Sequence, residues 1–405
     1  MKQFLTKIFS PITSLFFFSI GGGLLTTLIV LILHSKKESS ISIGIITSLY
    51  YLGLVLGSFK IEKLIVRIGH IRAFANFAAI LTVSILLHLF EYNFYVWCVL
   101  RLITGFSTAG LFIVIESWLL TIGDTKNRGQ ILSIYMVSLY LANALSQLFL
   151  KIDSLSYNQL FIMIGISAVL SIIPLSLTKS QSPIIEETSA LSLKNIYLLT
   201  KTGVAGCFFA GLVLSSIYGF LPLFLIKISN DDFVAIGMAL VIFGGMFWQY
   251  PIGKISDLIE RRKVILSLCI SGMIISLLII TFTNYTLIYT LIFLLGGVTF
   301  TLYPISISHA CDSLKAEDII SGTQALLLAY SLGAVTGPLI APIFIKLIGT
   351  YGLFFYIITM LFLLSGIMFW RQSSTRYMEP EEPFVTVTTT TPLIATIDPR
   401  GTEEQ

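Results

Sequence analysis

The sequence predicts an all-α integral membrane protein with twelve transmembrane helices in two pseudo-symmetric six-helix halves. Of its 405 residues, 56% are hydrophobic and only 11% are charged, whereas soluble domains are about 45–50% apolar and about 25% charged. Twelve apolar segments are each long enough to cross a hydrocarbon core of about 30 Å. The second half of the chain also repeats features of the first. This composition excludes a cytosolic enzyme, a secreted disulfide scaffold and a disordered protein.

A polar break separates the apolar segments into two groups of six. The first group lies near 9–33, 42–59, 73–90, 96–122, 130–150 and 158–177, and the second near 203–226, 233–252, 264–283, 286–311, 322–345 and 352–370. None shows the alternation over about ten residues that is typical of a membrane barrel. We therefore predict an N-terminal bundle (1–178), a linker (179–202), a C-terminal bundle (203–371) and a tail (372–405).

The distribution of basic residues predicts the orientation. If the N-terminus is cytoplasmic, the inner segments carry 19 Lys and Arg, the outer loops carry five, and one lies within a span. Because cytoplasmic loops are enriched in Lys and Arg, we expect both termini in the cytoplasm of a bacterial cell, with the chain in its inner membrane. The tail has two basic and six acidic residues, so we expect it to be disordered on the cytoplasmic side.

An internal repeat relates the two halves. Residues 116–147 align with 309–340 at an offset of 193, which places Gly129 on Gly322 and Glu116 on His309. Two halves of the same orientation predict a pseudo-two-fold axis along the membrane normal and a substrate cavity between them.

A loop after the eighth segment contains the most informative motif. It reads GKISDLIERR from Gly253 to Arg262 and resembles the signature loop of the major facilitator superfamily. Glycine allows two helices to approach closely, and Asp257 can pair with arginines such as Arg261 to hold an inner gate shut. The equivalent loop of the first half has Val66 where the family's aspartate would stand. The alternative is an ordinary basic cytoplasmic loop.

Two further helices carry superfamily-like motifs. Arg101 followed by Gly105 in the fourth segment resembles the family's arginine-then-glycine motif. The glycine–proline pair at 337–338 resembles a motif best known from antiporters. In those relatives the motif lies on the fifth helix, where this chain reads LANA from Leu141, so it does not support export.

Several shorter motifs are more specific. They are Glu116-Ser117-Trp118, Arg128-Gly129, Tyr303-Pro304, Ala310-Cys311-Asp312 and the run from Gln324 to Leu328. Together they resemble the YcaD-like branch of bacterial facilitators, and the superfamily resemblance extends over residues 9–371. The resemblance implies the facilitator fold, a small-molecule substrate, a lipid-embedded monomer and no enzymatic activity.

Few ionisable side chains lie within the predicted spans. Only Arg101 and Glu116 are formally charged there, and His88 and His309 can also titrate. A charge in the hydrocarbon core costs at least about 2.5–3.5 kcal/mol, so each needs a partner or a wet cavity. Arg101 can bind an anionic substrate, relay protons or donate to backbone carbonyls. Glu116 can carry a coupling proton or pair at the inner gate with Arg128, and His309 is either a second proton site or a packed neutral side chain.

The remaining candidates are uncharged polar residues. Asn143, Gln147, Gln249, Gln324 and Tyr330 can line a wet cavity, or equally can join helices by hydrogen bonds. The chain lacks HExxH, G-x-S-x-G and the P-loop pattern, and its four cysteines have no metal-ligand spacing. We therefore expect no cofactor or metal, and no nucleic-acid partner because the basic residues lie in short loops without interleaved aromatics.

These observations predict a secondary active transporter of a small solute that works by alternating access and is coupled to protons. An uncoupled facilitator and a transport-dead receptor or regulatory protein of the same fold remain as alternatives. The sequence indicates neither the solute nor the direction of transport.

Overall fold

The structure is a computed structural model that describes residues 2–122, 128–152, 154–177, 200–229, 231–314, 316–372, 384–387 and 389–393. Within these ranges, twelve helices are long and apolar enough to cross a membrane, and no residue lies in a strand. The predicted fold class is therefore confirmed. Most of the predicted linker lies outside the described residues, and the division into domains stays a prediction.

The twelve helices begin and end close to the predicted apolar segments. They are α1 (Lys2–Ser35), α2 (Ser40–Ile68), α3 (His70–Leu87), α4 (Phe94–Ile122), α5 (Arg128–Gln147), α6 (Tyr157–Leu170), α7 (Lys201–Ile228), α8 (Asp231–Leu258), α9 (Arg261–Thr281), α10 (Tyr285–Cys311), α11 (Ala316–Ile348) and α12 (Gly352–Gln372). Successive helices run in opposite directions. We call the membrane face with Arg67, Arg128 and Arg261 the basic face, and the other the opposite face.

Short polar caps start three helices at the opposite face. The Ser39 side chain accepts a hydrogen bond from the backbone N–H of Ser42 at the start of α2. The Asn284 side chain accepts one from the backbone N–H of Leu287 at the start of α10. Ser156 and Gln159 form a reciprocal capping box at the start of α6. These side chains satisfy helical N–H groups that otherwise have no acceptor, so the turns at this face are fixed locally.

Glycines bring α2 and α4 into backbone contact in the first half. A Cβ atom on Gly53 would lie well inside van der Waals distance of the carbonyl oxygen of Leu102. A Cβ on Gly105 would collide in the same way with the carbonyl oxygen of Tyr50. Small residues allow this close packing where neighbouring helices have little hydrophobic driving force to associate. The RLITG motif therefore sets the spacing of α2 and α4.

The second half repeats this contact 191 residues later. Gly244 on α8 faces the carbonyl oxygen of Phe293, and Gly296 on α10 faces that of Val241, again without room for a Cβ. The internal repeat therefore extends to the packing of the helices, since the pair α2–α4 of the first half corresponds to the pair α8–α10 of the second.

The two halves contact each other towards the opposite face. Gly44 on α2 packs against the backbone of Pro338 on α11, and Ser48 Oγ donates a hydrogen bond of 2.6 Å to the carbonyl oxygen of Val335. These contacts lie near the start of α2 and towards the end of α11. The structure is therefore closed at the opposite face.

Replacing Gly44 with alanine tests this closure. The new Cβ would overlap the carbonyl oxygen of Pro338, and overpacking costs typically about 1–3 kcal/mol, which is about 5–150-fold in a two-state equilibrium. We expect Gly44→Ala to open the opposite face. Ser48→Cys in a Cys98→Ser background should then react with an impermeant maleimide at least about fivefold faster.

The matched control is Gly366→Ala on α12, where a Cβ has no neighbour within 4 Å. Equal labelling rates in the Gly44→Ala and Gly366→Ala proteins would contradict the assigned role of the Gly44 contact.

Candidate functional site

A cavity of about 360 Å³ lies between the two halves. Helices α1, α2, α4 and α5 line it on one side, and α7, α10 and α11 line it on the other. Five tyrosines face it, namely Tyr50, Tyr51, Tyr140, Tyr218 and Tyr330. Of the described residues that line the cavity, none carries a formal charge. The cavity thus offers aromatic faces, hydroxyls and amides.

Three of the five predicted cavity residues lie in its wall. These are Asn143, Gln324 and Tyr330. Gln147 and Gln249 do not line the cavity. Each joins two helices by a hydrogen bond, which is the alternative considered for them above. Gln147 Nε2 donates to the carbonyl oxygen of Gly23 over 2.9 Å and ties α5 to α1, while Gln249 Nε2 donates to the Tyr140 hydroxyl over 3.2 Å and joins α8 to α5 across the halves.

Four of the five cavity tyrosines are not among the residues predicted from the sequence. Tyr50, Tyr51, Tyr140 and Tyr218 all lie well inside membrane-spanning helices. Tyrosines of membrane proteins concentrate at the membrane–water interfaces. The position of these four in the middle of their spans is therefore unusual, and it is the feature of the sequence that could have indicated a cavity.

Glu116 on α4 is completely buried near the basic face. Its Oε1 accepts hydrogen bonds from the Tyr135 hydroxyl at 2.7 Å and from the Thr390 hydroxyl, and its Oε2 accepts one from the Thr391 hydroxyl. Hydrogen bonds to an ionised acceptor are among the strong ones. The carboxylate is therefore satisfied by three neutral hydroxyl groups, two of them from the tail.

The structure does not form the predicted inner-gate ion pair of Glu116. Among the described residues, no ion pair within 4.0 Å joins Glu116 to Arg128 or to another arginine. His309 lies near the basic-face end of α10, where its Nε2 is 2.9 Å from the Thr202 hydroxyl. The two titratable candidates thus have separate partners in separate halves.

Arg101 lies behind the cavity wall rather than in it. The side chain is 1% exposed, and its Cζ lies 4.5 Å from the centroid of the Tyr50 ring. Its Nε and Nη1 make no hydrogen bond within the described part of the chain. A guanidinium over an aromatic face is attracted by the ring quadrupole. Arg101 therefore contacts the cavity only through the ring of Tyr50, which lies in the cavity wall.

His88, just beyond α3, is another buried titratable group. Its ring lies 4.9 Å from that of Trp97 and stacks on Phe161 at 5.6 Å, while Nδ1 is 2.7 Å from the Ser84 carbonyl oxygen. His88 is therefore packed among aromatic rings, outside the cavity lining.

Arg261 organises the signature loop at the basic face. Its Nη2 lies 3.1 Å from Asp257 Oδ1, its Nη1 pairs with Asp312, and the same Nη1 donates to the Ser308 carbonyl oxygen over 3.0 Å. Asp257 belongs to α8, Arg261 to α9 and Ser308 to α10. This buried arginine therefore clamps three helices of one half, which differs from the predicted gate between the halves.

The rest of the motif lies around this clamp. Arg262 Nε is 3.9 Å from Glu260 Oε1. Asp257 Oδ1 also accepts a 2.7 Å hydrogen bond from the backbone N–H of Phe384, whose ring fills the space beside Gly253.

The Major Facilitator Superfamily model matches residues 12–257 and, in a second match, residues 236–396. The chain belongs to the Major Facilitator Superfamily. It is a multi-pass membrane transporter and not an enzyme.

Relatives of this facilitator agree with the predicted branch. An uncharacterised MFS-type transporter of Escherichia fergusonii, YcaD, is 29% identical over 300 residues, which is 73% of this chain and 78% of the relative. An uncharacterised MFS-type transporter of Yersinia pestis is 28% identical over 345 residues, covering 84% of this chain and 88% of the relative. The resemblance to the YcaD-like branch is confirmed.

Solved structures share the fold of this facilitator at low sequence identity. A bacterial homologue of the human lysosomal transporter Spinster, in an inward-facing and unoccupied conformation, has a TM-score of 0.74 at 14% identity and covers 92% of this chain and 98% of its own. The nucleoside transporter NupG has a TM-score of 0.72 at 16% identity, covering 92% and 99%.

Removing either acidic partner of Arg261 tests the clamp in this facilitator. The Asp312 side chain is 7% exposed and that of Asp257 is 33% exposed. Breaking a buried ion pair from one side costs about 3–5 kcal/mol because the other charge stays buried, whereas exposed pairs contribute about 0–1 kcal/mol. We expect Asp312→Asn to lower the unfolding temperature in detergent by several degrees, and Asp257→Asn to lower it less. Equal losses, measured by fluorescence-detected size-exclusion chromatography after heating, would contradict this ranking.

Proposed function

We propose that this member of the superfamily is a secondary active transporter that moves a small solute by alternating access and is coupled to protons through Glu116. The observation that carries the proposal is the cavity shared by both halves, with contacts between the halves towards the opposite face. A substrate site between two pseudo-symmetric halves is the geometry in which rocking of one half against the other exposes the site to each side in turn.

The basic face is cytoplasmic in this proposal. Its loops carry most of the Lys and Arg residues, and cytoplasmic loops of membrane proteins are enriched in both. The chain then lies in a bacterial inner membrane with both termini inside, and the face at which Gly44 and Ser48 join the halves is the outer one.

A hydroxylated or zwitterionic solute fits the cavity best. The described lining residues carry no formal charge, and they place the hydroxyls of Thr108 and Ser331 and the amides of Asn143 and Gln324 among the tyrosine rings. A volume of about 360 Å³ is near the lower end of small-molecule sites, which span about 300–1,000 Å³.

Glu116 is the proposed proton carrier. As a carboxylate it accepts hydrogen bonds from three hydroxyls, and as a carboxylic acid it would donate one of its own. Uptake of a proton therefore changes which neighbours can bind it, as coupling between protonation and conformation requires. His309 on α10, with Thr202 as its partner, is a second proposed proton site, in the other half.

An uncoupled facilitator is the second candidate function. It is favoured by the hydrogen bonds from Thr390 and Thr391, since Glu116 would then serve only to hold the tail. A receptor of the same fold would bind a ligand without moving it.

Neutralising Glu116 distinguishes these functions. Proteoliposomes would be screened with labelled sugars, polyols, nucleosides and zwitterionic amino acids, with an internal pH dye to follow protons. We expect Glu116→Gln to lose accumulation above equilibrium and proton movement while retaining exchange of labelled for unlabelled solute, because the amide cannot carry a proton.

The matched control is Glu91→Gln, since Glu91 is exposed in the loop after α3. If the Glu116→Gln protein still accumulates solute with an unchanged pH dependence, Glu116 does not carry the coupling proton. Equilibration without accumulation in the unmodified protein would support the uncoupled facilitator, and binding without flux would support the receptor.

A further inference from the structure

Nine residues of the tail occupy the opening between the halves at the basic face. These residues, 384–387 and 389–393, form what we call the strap. Thr389, Thr390 and Pro392 lie in the wall of the central cavity, and the side chains of Val387 and Leu393 are buried. This placement departs from the expectation of a solvated tail for these nine residues, while the rest of 373–405 lies outside the described residues.

The strap is bound to the first half through Glu116. Thr390 and Thr391 each donate a hydroxyl hydrogen bond to this carboxylate, one to each oxygen. Thr391 is completely buried, so its hydroxyl has left water for this single acceptor. A buried polar group is stable only when it is hydrogen-bonded, which makes the match between these threonines and Glu116 specific.

The strap is bound to the second half through the signature loop. The backbone N–H of Phe384 donates to Asp257 Oδ1 over 2.7 Å. The Phe384 ring lies where a side chain on residue 253 would be, so the glycine there provides room for it. The charged partner of Asp257 is the buried Arg261, which places this end of the strap on the helix clamp.

A segment that binds both halves at one face opposes the closure of that face. In alternating access, the basic-face ends of the halves must approach each other when the opposite face opens. The strap fills the space through which they would move and presents its threonines to the cavity, where a solute would enter.

We propose that the strap is an internal ligand of the central cavity: it occupies the cytoplasmic entrance, holds the transporter open towards that side, and must leave for solute to bind and for the halves to rock. The inference rests on the proposed alternating-access function. The threonine hydroxyls that the strap places in the cavity wall also indicate the chemistry that would compete with it, namely a neutral solute with hydroxyl groups.

Labelling of a cysteine in the cavity tests the strap without a known solute. Ser58 on α2 lines the same cavity as Thr389, Thr390 and Pro392. Ser58→Cys would be introduced into the full chain with Cys98→Ser, and the rate of reaction with fluorescein maleimide would be measured in nanodiscs.

The test variant is Thr390→Val with Thr391→Val, called the double valine variant. Valine keeps the shape of threonine but removes both hydroxyl donors from Glu116. We expect labelling at least about tenfold faster, since hydrogen bonds to charged groups are strong. A chain that ends at Arg376 should label equally fast. The control is Thr386→Val, because Thr386 makes no hydrogen bond among the described residues, and it should label like the parent.

Two results would overturn the inference. One is labelling of the double valine variant and of the shortened chain at the parent rate. The other is faster labelling with no rise in exchange rate for a solute that the screen identifies, which would show a bound strap that does not inhibit. Faster labelling together with faster exchange supports the inference. If no protein moves any solute, labelling still decides whether the strap occupies the cavity, and only the transport proposal fails.

Discussion

The burial of one carboxylate next to an otherwise uncharged cavity is the constraint on which the site depends. Glu116 is 0% exposed, and an isolated charge in such surroundings is unfavourable unless hydrogen bonds compensate it. Its own half supplies one hydroxyl, from Tyr135, and the tail supplies two more, from Thr390 and Thr391. The entrance at the basic face and the position of the tail are therefore linked through a single side chain.

Close backbone contacts join helices within each half, and one such contact, Gly44 against Pro338, also joins the halves. Reciprocal glycines join α2 to α4 and α8 to α10 backbone to backbone, and Arg261 ties α8, α9 and α10 together. Between the halves, the Ser48 hydroxyl and the Gln249 amide make individual hydrogen bonds. Packed interiors resist deformation, so rocking of one half against the other would break the contacts of Gly44 and Ser48 and leave those within each half in place.

The fold could be predicted because its signals are local and repeated. Long apolar runs predict each helix, and the internal repeat predicts two halves built from corresponding helices. The strap could not be predicted in this way. Its threonine-rich composition is typical of a solvated tail, and its order depends on Glu116, 274 residues earlier in the chain. Asn143 and Gln147 show the same limit, since both are polar and one turn apart, yet Asn143 lines the cavity and Gln147 binds α1.

Distances between the halves test the central claim that the strap holds the basic face open. Spin labels would be placed on exposed residues at the basic face, Arg67→Cys with Leu258→Cys, and separately at the opposite face, Glu91→Cys with Asn284→Cys. Double electron–electron resonance should give a single long distance between the two labels at the basic face of the parent chain. In the double valine variant, a second population should appear with a shorter basic-face distance and a longer opposite-face distance. Identical distributions in the two proteins would contradict the account.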